Sequence, residues 1–166
     1  MAGLKISEAI GMVTKKELVL MAHIRKNSRV RLTQISKQTG IPVSTLFDML
    51  KSTPLVAKFS ALLDFPQLGF NTKAMLLLKA GKDSKDVLKA HLMKHQGINS
   101  MYRVNNGYDF LVEVVFRNMV ELEEFIEKLE NEYGIKTKEV HYLLEDLRRE
   151  DFLADPQLVG FTADDL

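Results

Sequence analysis

Residues 98–116 read INSMYRVNNGYDFLVEVVF, two apolar runs joined by Asn105-Asn106-Gly107. An Asn-Gly pair between such runs is a strong hairpin signal, because both residues tolerate positive φ. The stretch predicts two antiparallel strands over residues 98–104 and 109–116. Upstream, residues 85–94 read as a helix capped by Ser84 and stopped by Gly97, with Leu88 and Leu92 inward. Before it, residues 73–80, KAMLLLKA, form a short apolar run bounded by Gly81 and Asp83, as a buried strand does. Downstream, Val120, Leu122, Phe125, Ile126, Leu129 and Tyr133 line one face of a helix closed by Gly134, and residues 135–144 supply a last strand. The order strand, helix, strand, strand, helix, strand is the ferredoxin-like βαββαβ arrangement, in which two helices cover one face of a four-stranded antiparallel sheet. Met75, Leu77, Met101, Leu111 and Tyr142 are candidates for the bare face, and burial against a second copy of the chain is the expected solution.

The first third of the chain is organised differently. Residues 15–25, KKELVLMAHIR, are helix formers with Leu18, Met21, Ala22 and Arg25 on one track. Turn formers at residues 26–29 precede a second helix over residues 32–39, with Thr33 as the expected cap and Gly40 as its left-handed end. Pro42 or Val43 enters a third helix over residues 44–51. Three short helices around a Gly-containing turn read as a helix-turn-helix, with Ile24, Leu32, Ile35, Ile41, Leu46 and Leu50 as its core. Residues 53–64 are apolar and read as a wing strand or a linker strand. The fold class is therefore α+β. A helix-turn-helix domain of winged-helix type with an N-terminal extension spans residues 1–60, residues 61–72 form a linker, the ferredoxin-like domain spans 73–148, and a tail covers 149–166.

The formal charge of +1 conceals a division. Residues 1–60 carry ten basic against three acidic side chains, or +7, which leaves −6 for the remainder. Such asymmetry suits a chain of which one half meets a polyanion; the plainer reading is a solvated basic face. The third helix offers Ser44, Thr45, Phe47, Asp48 and Lys51 to base edges, with only Lys51 basic. Arg25, Lys26, Arg29, Arg31 and Lys37 are better placed as phosphate clamps. Cysteine is absent, which removes disulfides, thiolate metal sites and cysteine nucleophiles from consideration. The opening residues are too short and too interrupted for a signal peptide or a membrane span, so the cytoplasm is the expected location.

Together these stretches resemble the Lrp/AsnC, or feast/famine, transcriptional regulators. The similarity runs from about Lys15 to Arg148. It rests on residues 35–41 (ISKQTGI) followed by Ser44-Thr45-Leu46, on Leu55-Val56 through Leu63-Asp64 and Leu68-Gly69, and on residues 106–111, NGYDFL. The resemblance implies homodimers built on the α/β domain and further assembly into octamers of four dimers. It also implies double-stranded DNA as partner and an amino acid or similar effector held near Gly107, Tyr108 and Asp109. Departures from the family pattern stand at Pro42, Phe47 and Asp48, and two Thr positions typical of amino-acid binders fall here at Lys138 and Val140.

Asp109 has two readings: a counter-charge for an effector ammonium, or a carboxylate that caps the turn. His91 and His95 have the i, i+4 spacing of a zinc pair but lack an evident third ligand, and solvated or interface histidines are the alternative. The glutamates at 121, 123, 124, 127, 130 and 132 read as a solvated helix face. No catalytic residue, metal or cofactor is assigned. Two competing functions stand beside the regulator: an oligomeric small-molecule sensor without sequence-specific DNA binding, and an enzyme of the haem-precursor decarboxylase type, using Asp109 and Glu113 as paired acids. The tail either docks as an arm or frays, and Leu4, Ile6 and Ile10 suggest a short N-terminal helix that packs in a dimer.

Overall fold

The computed structural model describes residues 13–157 and residue 159. The chain divides into two compact units, one spanning residues 61–146, the other built from the chain before residue 61 together with the segment from residue 147 onward.

In the first unit, α1 (Lys15–Lys26) starts at Thr14, whose hydroxyl accepts from the Glu17 N–H while the Glu17 carboxylate accepts from the Thr14 N–H at 2.7 Å. This reciprocal capping satisfies donors that a helix start otherwise leaves open. Its fully buried residues are Leu20 and Ala22; Leu20, outside the expected track, takes the inward position. Helix α2 (Leu32–Thr39) begins at Arg31 without a side-chain cap, so Thr33 lies inside the first turn rather than at the cap. Gly40 ends it at φ 72, a conformation that costs a side chain with a Cβ roughly 1–2 kcal/mol. Pro42 then opens α3 (Val43–Ser52). Leu20, Ile35, Ile41 and Leu46 form the buried centre, with Met21, Ile24, Val30, Leu32, Met49 and Leu50 packed around it.

The wing is a correction. Residues 53–60 form no strand, and none occurs among the described residues of this unit. An extended segment becomes a strand only when its backbone groups find a ladder, and the apolar content of residues 53–64 supplies none. Leu55, Phe59, Leu62 and Leu63 stay exposed. The N-terminal helix suggested by Leu4, Ile6 and Ile10 lies outside the described residues.

The second unit runs through β1 (Thr72–Lys79), α4 (Lys85–Leu92), β2 (Ile98–Arg103), β3 (Phe110–Phe116), α5 (Met119–Tyr133) and β4 (Thr137–Tyr142), after a short 3-10 turn at Pro66–Leu68. All pairings are antiparallel and the strand order is β2-β3-β1-β4. Strand β1 alternates buried and half-buried residues along its length, the signature of a sheet covered on one face. Ala74, Leu76 and Leu78 of β1 meet Phe110, Val112 and Val114 of β3 beneath Leu88 and Leu92 of α4 and Leu122, Phe125, Ile126 and Leu129 of α5. Asn118 caps α5 by accepting from the Glu121 N–H at 3.0 Å. Ser84 stands at the N-cap of α4 without making a side-chain cap, its hydroxyl turning to the Gly81 carbonyl instead.

Met75, Leu77 and Leu111 lie on the face opposite the helices; Met101 and Tyr142 do not. Met101 pairs with buried Val112, and Tyr142 pairs with buried Ala74. Residues directly opposite each other share a face, so both point to the helix side, where the Tyr142 hydroxyl donates to Glu123 of α5 at 2.6 Å. The register irregularity between Ile98 and Ser100 resets the alternation of β2 and carries Met101 inward. Tyr102, paired with Leu111, takes its place on the open face.

Candidate functional site

Two residue groups carry the expected chemistry, one in each unit. In the helical unit, α3 exposes Val43, Ser44, Phe47, Asp48 and Lys51 along one side, while Leu46 is fully buried and Thr45 half-buried. These positions repeat at three and four residues, so they form a single stripe. Phe47 is 56 % exposed, a large aromatic surface with no use in this unit's core. Lys26 ends α1, Arg29 sits in the following turn with its N–H donating to the Asn27 side chain at 3.0 Å, Arg31 precedes α2, and Lys37 lies on α2; all four are exposed. Arg25 is engaged: its Nη2 donates to the Glu150 carbonyl at 2.9 Å and to the Glu150 carboxylate at 3.3 Å.

In the sheet unit the hairpin turns through Asn106 at φ 60 and Gly107 at φ 96, both left-handed, and closes where the Val104 N–H donates to the Asp109 carbonyl. Asp109 is 7 % exposed. Its carboxylate accepts from Lys85 Nζ at 2.5 Å and from the Ala80 N–H at 3.1 Å, with Lys79 Nζ at 3.6 Å, while its own N–H donates to the Leu78 carbonyl. The Lys85 hydrogen bond, followed by the Ala80 N–H and the two lysine charges, outweighs burial and holds this carboxyl below the usual aspartate value. Asp109 thus ties the hairpin to the end of β1 and the start of α4.

Beside it the Tyr108 hydroxyl donates to Glu139 of β4, which raises the tyrosine and lowers the glutamate from their ordinary values. His141 Nε2 lies 3.3 Å from the same glutamate. Lys138 stands in β4 opposite Leu78, and Val140 opposite Leu76, where it packs against the core under the helices. Gly107, Tyr108 and Asp109 are therefore contiguous, with Glu139 joined to them, whereas Val140 contributes to the core. Sequence reasoning missed Lys79, Lys85 and Glu139. Lys79 and Glu139 lie in expected strands, so a strand register would have found them; Lys85 has no local signal.

Glu113 engages Ser100 at 2.9 Å and Asn99 at 2.8 Å, a separate set of partners from those of Asp109. His91 and His95 stack at 5.7 Å, His91 against Tyr133 at 4.9 Å and His95 against Phe125 at 4.5 Å. No group of three His, Asp or Glu side chains suited to a metal occurs among the described residues.

Residues 73–151 match the Lrp/AsnC ligand binding domain. The chain is similar to the HTH-type transcriptional regulator FL11 of Pyrococcus furiosus, 28% identical over 116 residues, which are 68% of this chain and 77% of that protein. An uncharacterized HTH-type transcriptional regulator of Pyrococcus horikoshii is 25% identical over 135 residues, covering 79% and 90%. Among solved structures, a transcriptional regulator from Neisseria meningitidis in complex with L-Met superposes with a TM-score of 0.75 at 15% identity, over 83% of this chain and 94% of that one. E. coli AsnC gives 0.71 at 15% identity, over 83% and 96%. At such identities the structural likeness speaks for the fold, and it agrees with the matched domain: residues 73–151 are similar to the Lrp/AsnC ligand binding domain, and the curated relatives are HTH-type transcriptional regulators.

Proposed function

We propose that the chain is a DNA-binding regulator in which α1, α2 and α3 form a helix-turn-helix and the sheet unit both oligomerises and senses a small effector. The observation that carries this reading is the joining of a family ligand-binding domain to a helical unit of opposite charge, whose third helix exposes a stripe of residues its own core does not need. Arg29, Arg31, Lys26 and Lys37 clamp phosphates, and Ser44, Phe47, Asp48 and Lys51 face base edges, where Phe47 suits a thymine methyl and Asp48 accepts from a cytosine amino group. Subunits associate through the open sheet face. The protein acts in the cytoplasm on double-stranded DNA. Gel retardation with a duplex from the region upstream of its own gene, at moderate salt with competitor DNA, gives a surviving retarded band on this reading. Loss of every band to competitor overturns it.

The effector belongs to the amino-acid class, in keeping with the family domain and with the L-Met bound by a protein of the same fold. The internal partners of Asp109 favour its reading as the carboxylate that holds the loop, which leaves the Gly107 backbone and, as an acceptor beside its bond to Glu139, the Tyr108 hydroxyl as the groups offered to the ligand. A thermal-shift panel of L-amino acids, L-Met included, raises the melting temperature for the cognate class, because a ligand of the native state stabilises it. A second reading, a sensor without sequence-specific DNA binding, draws on the single basic residue of α3 and on Asp48 beside it. Retention of nonspecific binding with loss of every competitor-resistant band selects it.

A further inference from the structure

The segment after β4 returns to the helical unit, and its residues there are held rather than loose. Ala154 is 7 % exposed and Val159 1 %, both buried although they follow the last strand. Glu150 and Leu153 take φ values of 48 and 55, a left-handed conformation that a residue with a Cβ adopts only where its surroundings impose it. The Ala154 N–H donates to the Asp151 carbonyl, and the Val159 N–H to the Asp155 carbonyl, so the segment has a turn and a helical turn of its own. Pro156 and Gln157 form one wall of a groove of about 610 Å³ whose other walls are His23 and Lys26 of α1 and Gln34 and Gln38 of α2. The chain beyond residue 151 lies outside the matched ligand-binding domain, which does not account for it.

The contact with Arg25 gives this docking a consequence. A guanidinium that clamps a DNA phosphate needs its N–H groups free to reach an anionic oxygen. Here Nη2 donates to both the carbonyl and the carboxylate of Glu150. The segment also carries Arg148 and Arg149, and Arg148 pairs with Asp151, so Glu150 is the acidic group it presents to the basic end of α1. We propose that residues 147–157, anchored by Val159, are an internal ligand of the α1–α2 face, which occupies Arg25 and competes there with the DNA backbone. Release of the arm adds one phosphate contact to the DNA-bound state. The proposal rests on the DNA-binding reading above.

The test is fluorescence anisotropy with a random-sequence duplex, using the full chain and a Val159→Asp variant across a salt series. Aspartate in a buried position expels the arm without shortening the chain, and its added negative charge opposes DNA binding, so tighter binding reports arm release. The variant is expected to bind about two- to tenfold more tightly at low salt, with a log–log salt slope steeper by about 0.9. In an Arg25→Ala background the same substitution is expected to give no gain. Glu150→Gln, which keeps the fold of the arm and removes only its carboxylate, gives a smaller gain in the same direction and serves if Val159→Asp does not fold. Binding by both variants indistinguishable from that of the parent, or a gain that persists without Arg25, overturns the proposal. Absence of DNA binding by every protein at low salt overturns the DNA-binding reading itself, and the competition with it.

Discussion

Asp109 is the residue through which the hairpin, β1 and α4 meet, because one carboxylate accepts from a backbone N–H and from Lys85 and faces Lys79. Asp109→Asn keeps the shape, halves the acceptor capacity and leaves two lysines without their counter-charge. Both lysines are partly solvated, so the expected cost is that of lost charged hydrogen bonds, about 1–3 kcal/mol by denaturant unfolding at neutral pH. The sign of the pH dependence follows from the lowered carboxyl. The stabilisation is complete above the ordinary aspartate value of 3.8 and is lost as pH falls through the lower folded-state value, so the parent and the Asp109→Asn variant converge in acid. An unchanged difference at low pH contradicts this account. The residue itself was legible beside its Asn-Gly turn as one of two alternatives. Its lysine partners were not, since a side chain 24 positions upstream reaches it only once the strands have paired.

At the scale of elements, α4 and α5 close over the sheet through His91, His95, Tyr133, Phe125 and Phe116. His95 Nδ1 accepts the Gly97 N–H at 3.1 Å, which fixes the neutral ring with that nitrogen unprotonated. Burial, then the neighbouring His91 and Lys128, lower its pKa from the ordinary 6.5. A histidine whose folded-state value is depressed contributes stability above its unfolded value and loses it as pH falls. The thermal stability of the sheet unit should therefore fall as pH drops below 6.5, and His95→Phe should flatten that dependence; an identical slope in both proteins counts against it. The helices were legible in the sequence because Gly40, Gly134 and the spacing of apolar residues mark them locally. The facing of Met101 and Tyr142 was not, because an irregularity in β2 and the register of β4 are settled between strands. The missing wing has the same origin: residues 53–64 are apolar enough for a strand, and a strand also needs a neighbour.

For the whole molecule, the open sheet face carries a row of Leu77, Leu111 and Tyr102 across three strands, bordered by Glu113 and Glu139. Leu77 and Leu111 are half-buried and Tyr102 exposed, a face left uncovered within the unit, which is why self-association is expected there. Leu77→Lys with Leu111→Lys should shift sedimentation toward the monomer while circular dichroism keeps its strand signal, and an assembly that survives both changes would assign the interface elsewhere. The division of charge along the chain announced a two-part molecule, but not that Arg25 is engaged by Glu150, a residue 125 positions away. The central claim is that the basic helical unit binds DNA through its phosphates. It is tested most directly by measuring the affinity of the full chain for duplex DNA across a salt series, beside an Arg29→Gln, Arg31→Gln variant. The account predicts log affinity falling linearly with log salt, and a slope about 1.8 shallower in the variant, at about 0.9 for each phosphate contact removed. Affinity independent of salt, or the same slope in both proteins, contradicts it.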